Sequence, residues 1–151
     1  MPEYERRWLV AHDQKIALPS EYQTIEDKYI SNTTMRLRKV TSHGGEKTFK
    51  LCKKYGPVRV GVEPIVNIYL TEAEYQVFEK LSGTKILKKR YKVKEGSQVY
   101  SIDAIRDDLL VCEAEAMDIS TLELIPAPSF AAREITGEIE FSGASLSQHG
   151  T

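Results

Sequence analysis

The chain has 151 residues, 41% of them hydrophobic and 28% charged, which suits one globular domain of ordinary surface chemistry. A formal net charge of -1 and a pI near 6.3 exclude a broad basic face, so bulk attachment to nucleic acid or to an anionic membrane is not expected. No run of about 18 apolar residues occurs and the first residues are acidic and aromatic, which argues against a membrane span or a signal peptide and for a cytoplasmic protein.

Residues 3 to 11 alternate apolar with charged side chains, the period-2 pattern of a strand with two different faces. A shorter alternation runs from Tyr22 to Ile30, ahead of a Ser31-Asn32-Thr33 turn. Met35–Val40 and Lys47–Leu51 flank His43-Gly44-Gly45-Glu46 and predict a hairpin. After a Lys54-Tyr55-Gly56-Pro57 turn, Val58 to Leu70 reads as another strand, with Pro64 implying an edge or a bulge. Thr71-Glu72-Ala73-Glu74 fits a capping box and predicts a helix with Val77, Phe78 and Leu81 as its apolar face, closed by Gly83.

Strands resume at Lys85–Val93, Gln98–Ile105 and Leu109–Met117, and a helical turn is expected around Ser120–Leu124 before Pro126 and Pro128. Arg133 to Phe141 returns to alternation, and Ser142 to Thr151 reads as a polar, partly frayed tail. Cys52 and Cys112 have no metal-ligand spacing and are expected as buried thiols. His12, His43 and His149 fall in turns or the tail, and Trp8 and Tyr91 read as packing residues. About eight short strands joined mostly by tight turns, with one or two helices, predict a mainly β, α+β fold: an antiparallel eight-stranded closed barrel.

Charged residues recur at spacing two along five of these strands: Glu3, Glu5 and Arg7; Arg36 and Arg38; Lys50 beside Thr48; Lys88 and Arg90; Glu113 and Glu115. Spacing two puts each set on one face. For any single strand, a solvated face is the simpler reading. Five together predict a common concavity, and burying charges there requires water, mutual pairing or a charged ligand. Carboxylates on neighbouring strands suit Mg²⁺ or Mn²⁺, while guanidinium and ammonium groups suit phosphate oxygens. The combination describes a metal-bound polyphosphate.

In these motifs the chain resembles the CYTH domains, or triphosphate tunnel metalloenzymes. Glu3-Tyr4-Glu5-Arg6-Arg7 is similar to their E-x-E-x-K signature, with arginine for lysine. Arg36-Leu37-Arg38, Thr48-Phe49-Lys50, Lys88-Lys89-Arg90-Tyr91, Ile102-Asp103, Glu113-Ala114-Glu115 and Glu134-Ile135-Thr136 follow in the family's order, and Phe141-Ser142-Gly143-Ala144-Ser145-Leu146 resembles its Y-S-N-A-S-L ending. Glu138 and Glu140 fall outside the pattern and read as solvated. The resemblance implies that Glu3, Glu5 and Glu115, with Glu113 nearby, hold a Mg²⁺ or Mn²⁺. It implies that Arg7, Arg36, Arg38, Lys50, Lys88 and Arg90 clamp the phosphoryl groups of a triphosphate-containing small molecule.

One strand departs from the family. Its usual R-x-E-x-E is replaced by Glu63-Pro64-Ile65-Val66-Asn67 unless the register is shifted by one or two residues. The departure puts a second metal ion in doubt and leaves Arg7, with Asp103 and Glu134 as substitute acids, as the candidate catalytic set. A purely structural role for Asp103 and Glu134 is the alternative. The leading expectation is a metal-dependent triphosphatase. The alternatives are a weakly catalytic or non-catalytic polyphosphate-binding module and an adenylyl cyclase of the same family. No nucleic-acid or membrane partner is expected, and a homodimer is one assembly the sequence allows.

Overall fold

The computed structural model describes residues 1–11, 16–106 and 108–149. In chain order the elements are β1 (Pro2–Val10), β2 (Gln23–Ile30), β3 (Met35–Thr41), β4 (Lys47–Lys54), β5 (Val62–Leu70), α1 (Glu72–Glu79), β6 (Gly83–Glu95), β7 (Gln98–Arg106), β8 (Leu109–Ala116), α2 (Ile119–Leu124) and β9 (Ala131–Glu134). A 3₁₀ turn (Ile139–Phe141) and α3 (Gly143–His149) follow.

The strands are antiparallel neighbours in the order β5-β4-β3-β2-β6-β7-β8-β1, and β1 returns to β5 through the pairs Pro2↔Pro64 to Tyr4↔Val62. This is the closed eight-stranded barrel expected, with β9 as an additional strand. One flank of β1 is shared: its start pairs with β5 and its end, from Trp8, with β9.

The two main apolar clusters lie outside the barrel wall, while Ile25, Ile86 and Val111 are buried on its inner face. Trp8, Tyr100, Ile102, Cys112 and Ala114 point outward from β1, β7 and β8 and are covered by Leu122 of α2 together with Ile125 and Phe130. Trp8 meets Tyr100 edge-on at 6.0 Å between ring centroids. Ile30, Leu37 and Leu51 lie beneath Tyr75 and Phe78 of α1. Each such side chain contributes about 1.5–3 kcal/mol when buried, so the apolar outer face carries the stability and frees the inner face for charge. Both cysteines are buried thiols, as expected.

An eight-residue helix is marginal alone. Helix α1 has the predicted capping box: Glu74 N–H donates to Thr71 Oγ1 at 3.2 Å and Thr71 N–H to Glu74 Oε1 at 2.8 Å. The face it packs on the barrel is Tyr75 and Phe78, both half-buried; of the expected stripe Phe78 is there, while Val77 and Leu81 are exposed. Gly83 opens β6 instead of closing the helix, because β6 there runs against the Tyr29 carbonyl too closely for a Cβ.

Three boundaries differ from expectation. The strand read from Val58 begins at Val62, because 58–61 form a turn in which Gly61 (φ 83°) receives the Glu5 N–H at 2.9 Å. Pro64 is not on an edge: β5 leaves β4 at Ile65 and takes β1 as its partner through Pro64, where a missing N–H is tolerated. The alternation from Arg133 stops at Glu134. The tail read as frayed is helical over Gly143–His149, started by Ser142, whose hydroxyl accepts from Ser145 N–H at 3.2 Å. His12 lies outside the described residues.

Candidate metal and anion site inside the barrel

The barrel encloses a cavity of about 360 Å³. Because inward residues alternate along each strand, the wall collects Glu3, Glu5 and Arg7 from β1, Arg36 and Arg38 from β3, and Lys50 from β4. Lys88 and Arg90 from β6 and Glu113 and Glu115 from β8 complete it. The structure thus brings the predicted phosphate and metal residues into one space. The two acids proposed as substitutes do not line the cavity. Asp103 is on the inward face of β7, opposite Arg90, but is buried beneath Arg90 and Lys88, and Glu134 sits on the outside, paired with Arg6 at 2.8 Å and receiving the Thr136 hydroxyl at 2.7 Å. His43 lies in an exposed turn.

The basic side is organised by two buried aspartates. Arg38 donates to Asp27 through Nε at 2.7 Å and Nη2 at 2.8 Å, while Lys88 lies 3.7 Å and Arg36 4.0 Å from the same carboxylate. Burial would raise Asp27, but Arg38, Lys88 and Arg36 outweigh it and hold this carboxyl well below its ordinary range. Arg90 forms the matching bidentate pair with Asp103 at 2.7 and 2.8 Å, and Lys88 bridges to Asp103 at 3.4 Å. Asp27 escaped the sequence reading. Its signal is the register pair Asp27↔Arg38, visible only once β2 and β3 are aligned.

Arg36 is left incompletely satisfied: its buried Nε has no hydrogen-bond partner. Lys50 makes no ion pair among the described residues, and burial with Arg38 nearby pushes its ammonium pKa down. An unpaired buried donor is costly, so this side of the cavity is poised for an anion.

The acidic side separates into two parts. Glu113 belongs with the bases, 3.0 Å from Arg7 and 3.1 Å from Arg90, and they outweigh burial to hold it at about 2. Glu3, Glu5 and Glu115 each offer a carboxylate oxygen within 4.8 Å of the others. Burial, then the neighbouring Glu113 and Glu3, pushes Glu5 well above its ordinary value; burial and Glu3 raise Glu115. Like charges gathered without enough counter-charge call for a cation. Three hard oxygen donors at this spacing fit Mg²⁺ or Mn²⁺, which takes the remaining positions as water or substrate oxygen.

Strand β5 supplies the departing wall. Glu63, Ile65 and Asn67 all face the cavity, so the replaced positions are inward in this register. Glu63 stands across from Glu3, accepts the Gly56 N–H at 3.2 Å and lies 3.9 Å from Lys54. The other border is the C-terminal segment. Arg7 donates to the Phe141 carbonyl at 2.8 Å, and its backbone N–H donates to Thr136 Oγ1 at 2.9 Å. Glu138, expected to be solvated, borders the cavity while pairing with Arg133 at 2.6 Å. Gly143 stands where the resembling motif has asparagine, and a Cβ there would overlap the Tyr29 hydroxyl.

No family model and no curated protein matches the chain. Among solved structures, the inorganic triphosphatase NE1496 matches with a TM-score of 0.60 at 18% identity, over 96% of this chain and 93% of that one. A second structure of NE1496, described as a hypothetical protein, gives 0.60 at 17% identity over 96% and 97%. A putative adenylate cyclase from Bacillus halodurans gives 0.50 at 13% identity, over 84% and 92%. With the closed barrel and its order of strands, these likenesses show that the chain has the fold of the CYTH, or triphosphate tunnel, proteins whose motifs its sequence resembles.

Proposed function

We propose that the barrel binds a linear triphosphate complexed with Mg²⁺ or Mn²⁺ and hydrolyses it to phosphate and pyrophosphate. The observation that carries this reading is the pairing, within one cavity, of a carboxylate trio, whose one ion-pair contact among the described residues is Arg7 at 3.8 Å from Glu5, with incompletely satisfied cationic donors. The fold shared with an inorganic triphosphatase supports it. Glu3, Glu5 and Glu115 would hold the ion, which when bound neutralises phosphoryl charge and polarises the phosphorus. Arg36 and Lys50 take phosphoryl oxygens, and Arg7, Arg38, Lys88 and Arg90 keep the wall positive although each is already tied to a carboxylate.

Water attacks the terminal phosphorus, the anhydride P–O bond breaks, pyrophosphate leaves and one proton is released. Preorganised charge is the main contribution such a wall makes to phosphoryl transfer. Buried ion pairs with Asp27 and Asp103 hold Arg38 and Arg90 in place before substrate arrives, so little reorganisation accompanies the reaction.

A second reading is capture without efficient turnover, favoured by the neutral Ile65 and Asn67 on the inward face of β5. Incubation with tripolyphosphate, ATP, GTP and thiamine triphosphate in Mg²⁺ or Mn²⁺, assayed for phosphate, pyrophosphate and cyclic nucleotide, separates the readings. Phosphate released fastest from tripolyphosphate is expected. Tight binding without product would overturn hydrolysis, and cyclic nucleotide would show cyclase chemistry.

A further inference from the structure

Seven basic side chains line the cavity, and six belong to the pairs legible in sequence. The seventh is Lys54, at the end of β4. It shares the inward face of that strand with Lys50, four residues earlier and about 13 Å away along the strand. Arg7, Arg38, Lys88 and Arg90 each have a carboxylate within 3.4 Å. Lys54 does not. Its register partner on β5 is Ile65, and its one ion-pair partner among the described residues is Glu63, diagonal to it at 3.9 Å.

Glu63 is itself anchored elsewhere, on the Gly56 N–H, and stands across from Glu3 of the carboxylate trio. Lys54 therefore lies at the metal end of the cavity. A contact at 3.9 Å to a partly exposed carboxylate is worth little and is readily exchanged. A phosphoryl group that shares the metal ion would lie beside this ammonium and offer it a closer, more highly charged partner.

We propose that Lys54 is a substrate-contact residue that sets preference for triphosphate over shorter phosphates: on binding, its ammonium leaves Glu63 and takes an oxygen of the metal-proximal phosphoryl group. This rests on the functional reading above. Lys50 and Lys54 then mark the two ends of the anion site, and a chain of three phosphoryl groups engages both where pyrophosphate engages one. The neutral Ile65 matters here, because an acid across from Lys54 would hold the ammonium in the wall.

The test is calorimetric titration of tripolyphosphate, pyrophosphate and Mn²⁺ alone into wild type, Lys54→Met, Lys54→Arg and Glu63→Gln, with folding checked by circular dichroism. Lys54→Met is expected to weaken tripolyphosphate binding about 10- to 100-fold, the range of a charged hydrogen bond, and pyrophosphate binding much less. The same variant should bind Mn²⁺ alone a few-fold more tightly, since a positive charge near the trio is gone. Lys54→Arg restores tripolyphosphate binding, and Glu63→Gln, which releases Lys54, strengthens it. Wild type that bound no tripolyphosphate would overturn the functional reading and this one together. Normal wild-type binding with Lys54→Met unchanged, or weakened equally for both phosphates, would overturn the Lys54 assignment alone. Should Lys54→Met fail to fold, an unchanged affinity in Glu63→Gln overturns it as well.

Discussion

Replacing Asp27 by asparagine removes one buried negative charge from the centre of three cations and leaves the shape nearly intact. Its carboxylate holds Arg38 through two hydrogen bonds and lies 3.7 Å from Lys88 and 4.0 Å from Arg36. None of these basic side chains is more than 12% exposed, so water cannot replace the lost charge cheaply. Breaking a buried pair from one side costs about 3–5 kcal/mol. For a chain of this size that lowers the melting midpoint by roughly 6–20 °C. The single tryptophan, Trp8, is 1% exposed and reports unfolding in a urea titration. Because the variant leaves cations waiting for an anion, added tripolyphosphate should raise its midpoint by more than it raises that of wild type. A loss below about 1 kcal/mol, or equal stabilisation of both proteins by tripolyphosphate, would refute the placement of Asp27 as the counter-ion that organises the wall.

Metal affinity should rise with pH. Glu5 and Glu115 titrate above their ordinary value and must lose protons to bind an ion, so Mn²⁺ titrations in buffers of different ionisation enthalpy should show proton release that fades as pH climbs. Metal-free stability should have the opposite slope in that range: raised carboxyls contribute stability at mildly acidic pH that is lost as pH rises through their folded values. Below about pH 4 stability falls again as Asp27 and Glu113, both held low, take up protons. Glu134→Gln should lower stability by about 1 kcal/mol through the Arg6 and Thr136 contacts while changing turnover less than about 2-fold, measured by urea unfolding and phosphate release. Gly143→Asn should displace α3 from Tyr29, lowering stability by about 1–3 kcal/mol and exposing residues after Gly137 to limited proteolysis.

The two-faced strands were legible because period-2 alternation is local: Glu3/Glu5/Arg7 and Glu113/Glu115 declare a face without knowledge of their neighbours. Asp27 was not, since β2 carries Ile25, Asp27 and Tyr29 on one face and Glu26, Lys28 and Ile30 on the other, a mixture on both sides that only pairing with Arg38 and Lys88 resolves. Glu134 shows the converse. Its place in the order of motifs suggested the tunnel, but β9 runs along the outer flank of β1 and turns that carboxylate toward Arg6. The tail became a helix because the Ser142 cap and packing against β6 supply what its polar sequence does not. Lys54 was passed over as a turn residue, and its inward face depends on β4 continuing past Leu51.

The central claim is that Glu5 helps hold a metal ion that in turn holds a triphosphate. Calorimetric titration of tripolyphosphate into wild type and Glu5→Ala, each with and without Mn²⁺, tests it most directly. The account predicts metal-strengthened binding in wild type and loss of the metal-dependent part in Glu5→Ala, with a residual metal-free affinity from the basic wall. A Glu5→Ala protein that bound Mn²⁺ and tripolyphosphate as wild type does would contradict it.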